Sequence, residues 1–82
     1  VRLQVLYFAA VRDLVPDAEE RVDAPASVRT VRDFAAWIAS HHPALSGRMA
    51  SVRIARNELF ARDDEALQDG DVLALIPPVA GG

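Results

Sequence analysis

Eighty-two residues make one small domain, able to bury about 60–65% of the surface its unfolded chain exposes. Apolar residues are 51% of the chain, enough for one core without staples, and the lack of cysteine excludes disulfides, thiolate metal sites and a cysteine nucleophile. A net charge of −3, spread over both signs, excludes the basic face that nucleic acid requires, and no apolar run approaches the ~18 residues of a membrane span.

Val1 to Phe8 alternates like a strand. Leu3, Val5 and Tyr7 share one face; Arg2, Gln4, Leu6 and Phe8 share the other. The second face starts polar and ends apolar, so Leu6 and Phe8 belong either to a covered central strand or to a patch kept for a partner. The N-terminal residues carry no signal-peptide core, and a cytoplasmic location is expected. Ala9 to Val15 reads as a short helical turn stopped by Pro16. Glu19 to Asp23 reads as a polar edge strand, broken by Ala24-Pro25-Ala26.

Thr30 to about His41 is the main helix. Thr30 suits the N-cap and Asp33 lies three residues on, a capping-box pair that also complements the helix dipole. Val31, Phe34, Ala35, Ile38 and Trp37 are placed for its buried stripe, and Pro43 ends it. His41 and His42 invite a metal reading. Adjacent helical residues do not face one another, no third ligand stands nearby, and the helix C-terminus already favours two imidazoles, so no metal is expected.

Ala44 to Ser51 reads as a loop, Val52 to Arg56 as a third strand, Asn57-Glu58 as a turn, and Leu59 to Arg62 as a short fourth strand. Asp63-Asp64-Glu65 reads as a solvated loop anchored by Leu67. Asp69-Gly70-Asp71 is a tight turn in which glycine supplies a positive φ. Val72 to Ile76 is the fifth strand, apolar on both faces and hence central or turned towards another protein. Ser27, Ser40, Ser46 and Ser51 sit in no catalytic pattern, and the carboxylates form no acid–base pair. An active site wholly within the chain is not expected.

The chain then closes on Pro77-Pro78-Val79-Ala80-Gly81-Gly82. The prolines stop sheet pairing and hold the segment near polyproline II. Six such residues reach roughly 15–20 Å and taper to an unhindered carboxylate. A Gly-Gly pair alone is equally the stub of a linker; its place after Asp69-Gly70-Asp71, an apolar strand and two prolines points to function. All nine basic residues are arginine. An activated acyl group at the end would meet no internal lysine or cysteine, leaving only the N-terminal amine. The chain divides into a domain, 1–76, and an extended tail, 77–82.

Strand–strand–helix–strand–strand–strand in this length predicts an α+β domain, a mixed five-stranded sheet with one main helix across it, the first and last strands paired at its centre. That is the β-grasp, ubiquitin-like arrangement. Over nearly its whole length the chain resembles the small subunit of molybdopterin synthase, a ubiquitin-like sulfur-carrier family. The resemblance rests on Leu6-Tyr7-Phe8-Ala9 with Val11-Arg12-Asp13-Leu14, Thr30-Val31, Ala55 and Asn57 before Glu58-Leu59, and Leu67-Gln68-Asp69-Gly70-Asp71 leading to the final Pro77-Pro78-Val79-Ala80-Gly81-Gly82. Arg56 departs from the family, which often has an apolar residue there.

The resemblance implies a set of roles. An E1-like enzyme uses ATP to adenylate Gly82, and a sulfur donor protein displaces AMP to leave a thiocarboxylate. The tail then enters the large synthase subunit and gives its sulfur to a cyclic pyranopterin, building the molybdopterin dithiolene. Gly82 carries the reacting atom, Gly81 lets the backbone bend, Val79 and Ala80 line the channel lightly, and Pro77 and Pro78 reduce the entropy lost on ordering. Phe8, Leu59 and Ile76 are candidates for the docking patch, each equally suited to the core. The chain would bind no cofactor itself and would not be an enzyme alone; a heterotetramer with two large subunits is implied by analogy. The same chemistry in thiamine or cysteine synthesis, a ubiquitin-like protein modifier, and a plain interaction domain are the alternatives.

Overall fold

In the computed structural model, which describes residues 1–78, the alternation of Leu3, Val5 and Tyr7 forms β1 (Arg2–Tyr7), with all three side chains buried. A one-turn helix, α1 (Ala9–Arg12), follows. It is shorter than the predicted Ala9 to Val15, the remainder being two turns closed by Leu14 N–H to Val11 and Val15 N–H to Arg12. β2 (Glu19–Asp23) runs antiparallel to β1 at the sheet edge, as its polar pattern predicts.

The main helix is α2 (Val31–His41). Thr30 Oγ1 accepts from the Asp33 amide at 3.3 Å and Asp33 Oδ2 accepts from the Thr30 amide at 3.1 Å, so the capping box forms in both directions. The next orphan donors of the first turn are met from an unforeseen quarter. Val31 N–H donates to the Glu65 carbonyl at 3.0 Å and Arg32 N–H to the Asp63 carbonyl at 2.9 Å. The acidic loop is therefore more than a solvated connection: its backbone straps the start of α2. Val31, Phe34 and Ile38 are buried, with Ala35 and Trp37 half-buried beside them.

Pro43 does not simply end α2 but opens a 3-10 turn, Pro43–Leu45, whose Leu45 is fully buried; a second turn spans Met49–Ser51. Both lie where the sequence predicts loop. β3 (Arg53–Arg56) and β4 (Leu59–Phe60) form a hairpin through Asn57-Glu58, both at positive φ (52° and 75°). β4 is shorter than the predicted Leu59 to Arg62. Gly70, at φ 89°, turns the chain into β5 (Asp71–Ile76).

The sheet order is β2-β1-β5-β3-β4. β5 is central, parallel to β1 and antiparallel to β3. This is the predicted β-grasp arrangement, with α2 over one face. Leu3, Val5, Tyr7, Ile54, Leu73 and Leu75 meet Val31, Phe34 and Ile38 to form the core. Among the described residues no helix is long and apolar enough to cross a membrane.

Candidate functional site

β5 delivers the chain to the tail. Ile76 and Pro77 are half-buried and Pro78 is exposed. Val79, Ala80, Gly81 and Gly82, the residues for which the sequence predicts the chemistry, lie outside the described residues.

What the fold does place is the surface around the end of β5. Leu73 and Leu75 point to α2, so Val72, Ala74 and Ile76 point to the opposite, helix-free face. Register carries one row of apolar side chains straight across it. Leu6 pairs with Ala74, Ala74 with Ala55, and Ala55 with Phe60. In the adjoining row Ile76 pairs with Arg53, whose guanidinium lies 3.8 Å from the centroid of the Phe60 ring. Phe8 continues the β1 alternation onto this face, its amide donating to the Leu75 carbonyl at 3.2 Å, and is 46% exposed. Small alanines keep the middle low and two aromatics rise at its sides.

Of the three docking candidates, Phe8 and Ile76 thus share a face beside the tail. Leu59 is placed elsewhere. It pairs with Arg56, so its parity is that of the helix-side face, and at 74% exposure it stands free at the sheet edge. Phe60, 56% exposed, occupies the helix-free face instead. The signal for this was available, since a two-residue turn makes its flanking residues partners and fixes the face of everything after it.

Two polar clusters lie on the other side of the sheet. Asp71, buried, accepts from Arg56 Nε at 2.8 Å, Asn57 Nδ2 at 3.0 Å and the Gln68 amide at 2.9 Å. Burial pushes its carboxyl up, but those bonds outweigh it and hold it below the usual carboxylate range. The family departure at Arg56 is accommodated by this pair and by Glu65, 3.5 Å away. At the β2 edge, Glu20 Oε1 accepts from the Tyr7 hydroxyl at 2.6 Å and lies 2.7 Å from His42 Nε2, while Glu20 Oε2 lies 3.7 Å from His41 Nε2. Burial again pushes the Glu20 carboxyl up, and the bonds from Tyr7 and His42 carry it below its ordinary value. Burial and the Glu20 carboxylate together push the Tyr7 hydroxyl strongly up. The expectation that the histidines lack a third neighbour is corrected here, because β2 brings Glu20 to both. The expectation that they point apart fails too: His42 is the cap, at φ −125° and ψ 88°, and leaving helical geometry sets its ring centroid 4.7 Å from that of His41.

Comparison with known proteins places this architecture. The molybdopterin synthase sulfur carrier subunit of Chlamydomonas reinhardtii is 38% identical over 84 residues, covering 100% of both chains. Among solved structures, a putative molybdopterin converting factor subunit 1 from Pyrococcus furiosus superposes with a TM-score of 0.83 at 36% identity, over 96% of this chain and 99% of that one. The small archaeal modifier protein SAMP1 of Haloferax volcanii superposes with a TM-score of 0.86 at 31% identity, over 100% of both. A family model described as the ThiS family matches residues 5–82. With that match and whole-length relatives on the same ubiquitin-like β-grasp frame, the chain belongs to the ThiS family.

Proposed function

We propose that this chain is the sulfur carrier subunit of molybdopterin synthase, with the carboxylate of Gly82 as the reagent. The whole-length identity to a curated carrier of that name carries the reading. The Pro77-Pro78-Val79-Ala80-Gly81-Gly82 ending supports it. A carboxylate with a pKa of about 3.5 is ionised at neutral pH and is a poor electrophile. Activation by an E1-like enzyme would join it to AMP and release pyrophosphate. The outer sulfur of a persulfide on a donor protein would then attack the carbonyl carbon as AMP leaves, and a thiol reductant would cleave the resulting S–S bond, returning the donor's sulfur and freeing the thiocarboxylate, so that sulfur replaces one carboxyl oxygen. Gly82, without a Cβ, leaves that carbon open on both sides, and Gly81 lets the backbone bend. Val79 and Ala80 fill a narrow channel in the large subunit; Pro77 and Pro78 lower the ordering cost.

In this reading the domain binds no cofactor and performs no catalysis alone. It docks by its helix-free face, through Phe8 and Ile76 with Leu6 and Phe60 alongside, and the tail leaves from the end of β5 into the partner. Incubation with the activating enzyme, ATP and a sulfur source, followed by intact-mass measurement, should show one oxygen exchanged for one sulfur. Adding the large subunit and the cyclic pyranopterin should then yield the dithiolene product. An unchanged mass, or product formation undiminished by a bulky residue appended after Gly82, sinks the proposal.

The likeness to the Haloferax modifier protein favours a second reading, attachment of the activated Gly82 to lysines of other proteins. The same incubation with cell extract separates the two, by the appearance of higher-mass conjugates in place of the thiocarboxylate.

A further inference from the structure

The cluster at the β2 edge is not used by the sulfur chemistry, and its donor set is that of a metal site. We propose that Glu20, His41 and His42 bind one divalent transition cation, of which zinc is the best match to two imidazoles and a carboxylate. One ligand atom from each of the three lies within 4.8 Å of the other two. Tetrahedral zinc, with ligands at about 2.0–2.2 Å, sets neighbouring donors about 3.3 Å apart. His42 Nε2 lies 2.7 Å from Glu20 Oε1 and His41 Nε2 lies 3.7 Å from Glu20 Oε2, values on either side of that spacing, one imidazole at each carboxylate oxygen.

Each ligand is also held from behind. The His41 ring stacks on Trp37, with centroids 4.9 Å apart and planes 13° from parallel. The His42 ring meets Tyr7 edge-on at 5.8 Å. The Tyr7 hydroxyl fixes Glu20 Oε1, the kind of outer-shell bond that orients a ligating carboxylate. The C-terminal end of α2 adds its partial negative charge. His41, 43% exposed, faces solvent, which leaves the fourth position to water. The ordinary alternative is a plain hydrogen-bonded Glu–His pair at a helix end. It accounts for the 2.7 Å contact, and it differs from the zinc site in leaving the second imidazole, 3.7 Å from the other carboxylate oxygen, without a ligand's role.

The test is isothermal titration of the untagged full chain with zinc chloride at neutral pH, with magnesium chloride as the control. One zinc per chain and no magnesium binding are expected. His41→Ala, on an exposed ring, should keep the fold by circular dichroism yet weaken zinc binding at least about 10-fold, and Glu20→Gln should do the same. Histidine ring nitrogen shifts in the wild-type chain should move for His41 and His42 together on zinc addition. Absence of stoichiometric binding, or affinity unchanged in a folded His41→Ala chain, overturns the proposal. None of these readouts involves Gly82, so their failure is independent of the sulfur-carrier reading.

Discussion

Arg56 Nε donates to Asp71 Oδ2 across 2.8 Å, from the last residue of β3 to the first of β5. Arg56 pairs in register with Leu73, so its side chain reaches back diagonally, two residues along the same face, to Asp71. Asp71 collects this bond with those of Asn57 and Gln68, and the Asn57 side-chain Oδ1 accepts in turn from the Val72 amide at 2.9 Å. One buried carboxylate thus ties the β3–β4 turn to the turn that starts the central strand. Asp71→Ala leaves several donors without an acceptor and is expected to cost about 2–3 kcal/mol. A lower urea midpoint at an unchanged denaturant slope is the signature to look for. Combined with Arg56→Met, the loss should be smaller than the sum of the two single losses, because the donor left unpaired by the first change is removed by the second.

The same carboxylates set the acid limit of the fold. Asp71 and Glu20 both titrate below their ordinary values when folded. A depressed carboxyl contributes fully above its unfolded pKa and loses that contribution as pH falls through the folded value. Stability should therefore be insensitive to these groups down to about pH 5 and decline below about pH 4. Urea midpoints measured from pH 7 to 2.5 should show that decline. Asp71→Asn should start lower and fall less steeply, and a parallel curve would assign the acid sensitivity to other groups.

Much of this arrangement was legible before any coordinates. The alternation of Leu3, Val5 and Tyr7, the Thr30–Asp33 box and the doubly apolar β5 each state one local preference, and the fold satisfies all three. What sequence concealed were meetings between distant segments. Glu20 and His42 are 22 residues apart, and nothing in either neighbourhood marks the other. The capping of α2 by the Glu65 and Asp63 carbonyls is backbone chemistry, which side-chain identity does not advertise. The placement of Leu59 and Phe60 on opposite faces follows from the two-residue turn, whose flanking residues pair and fix the parity of what comes after.

Ala9 stands at φ 50°, where a β-carbon crowds the backbone. Ala9→Gly relieves a strain of roughly 1–2 kcal/mol, partly offset by the greater freedom of glycine in the unfolded chain. A net gain of about 0.5 kcal/mol, or ~2–4 °C in thermal midpoint, is expected. Ala9→Val, with a branched β-carbon, should lower the midpoint instead. A loss of stability in the glycine variant would show that the left-handed conformation is not adopted in solution.

Phe60 and Leu59 are neighbours in sequence on opposite faces of the sheet, which makes them a direct test of where the partner sits. Phe60 lies in the row with Ala55, Ala74 and Leu6, under the Arg53 guanidinium, on the helix-free face. Leu59 is more exposed, and exposure alone would nominate it first. Aromatic side chains set against a flat apolar surface carry a large share of binding energy, whereas isolated rim residues carry little. If the large subunit of molybdopterin synthase docks on the helix-free face, Phe60→Ala should raise the dissociation constant about 10-fold or more. Leu59→Ala should raise it less than about 3-fold. Neither change should unfold the domain; Phe60→Ala forfeits about 0.5–1 kcal/mol of stacking with Arg53, and Leu59→Ala stays within about 0.5 kcal/mol of the parent. Calorimetric titration of the large subunit with each variant measures both effects. The reverse order, with Leu59 dominant, would move the interface to the β4 edge.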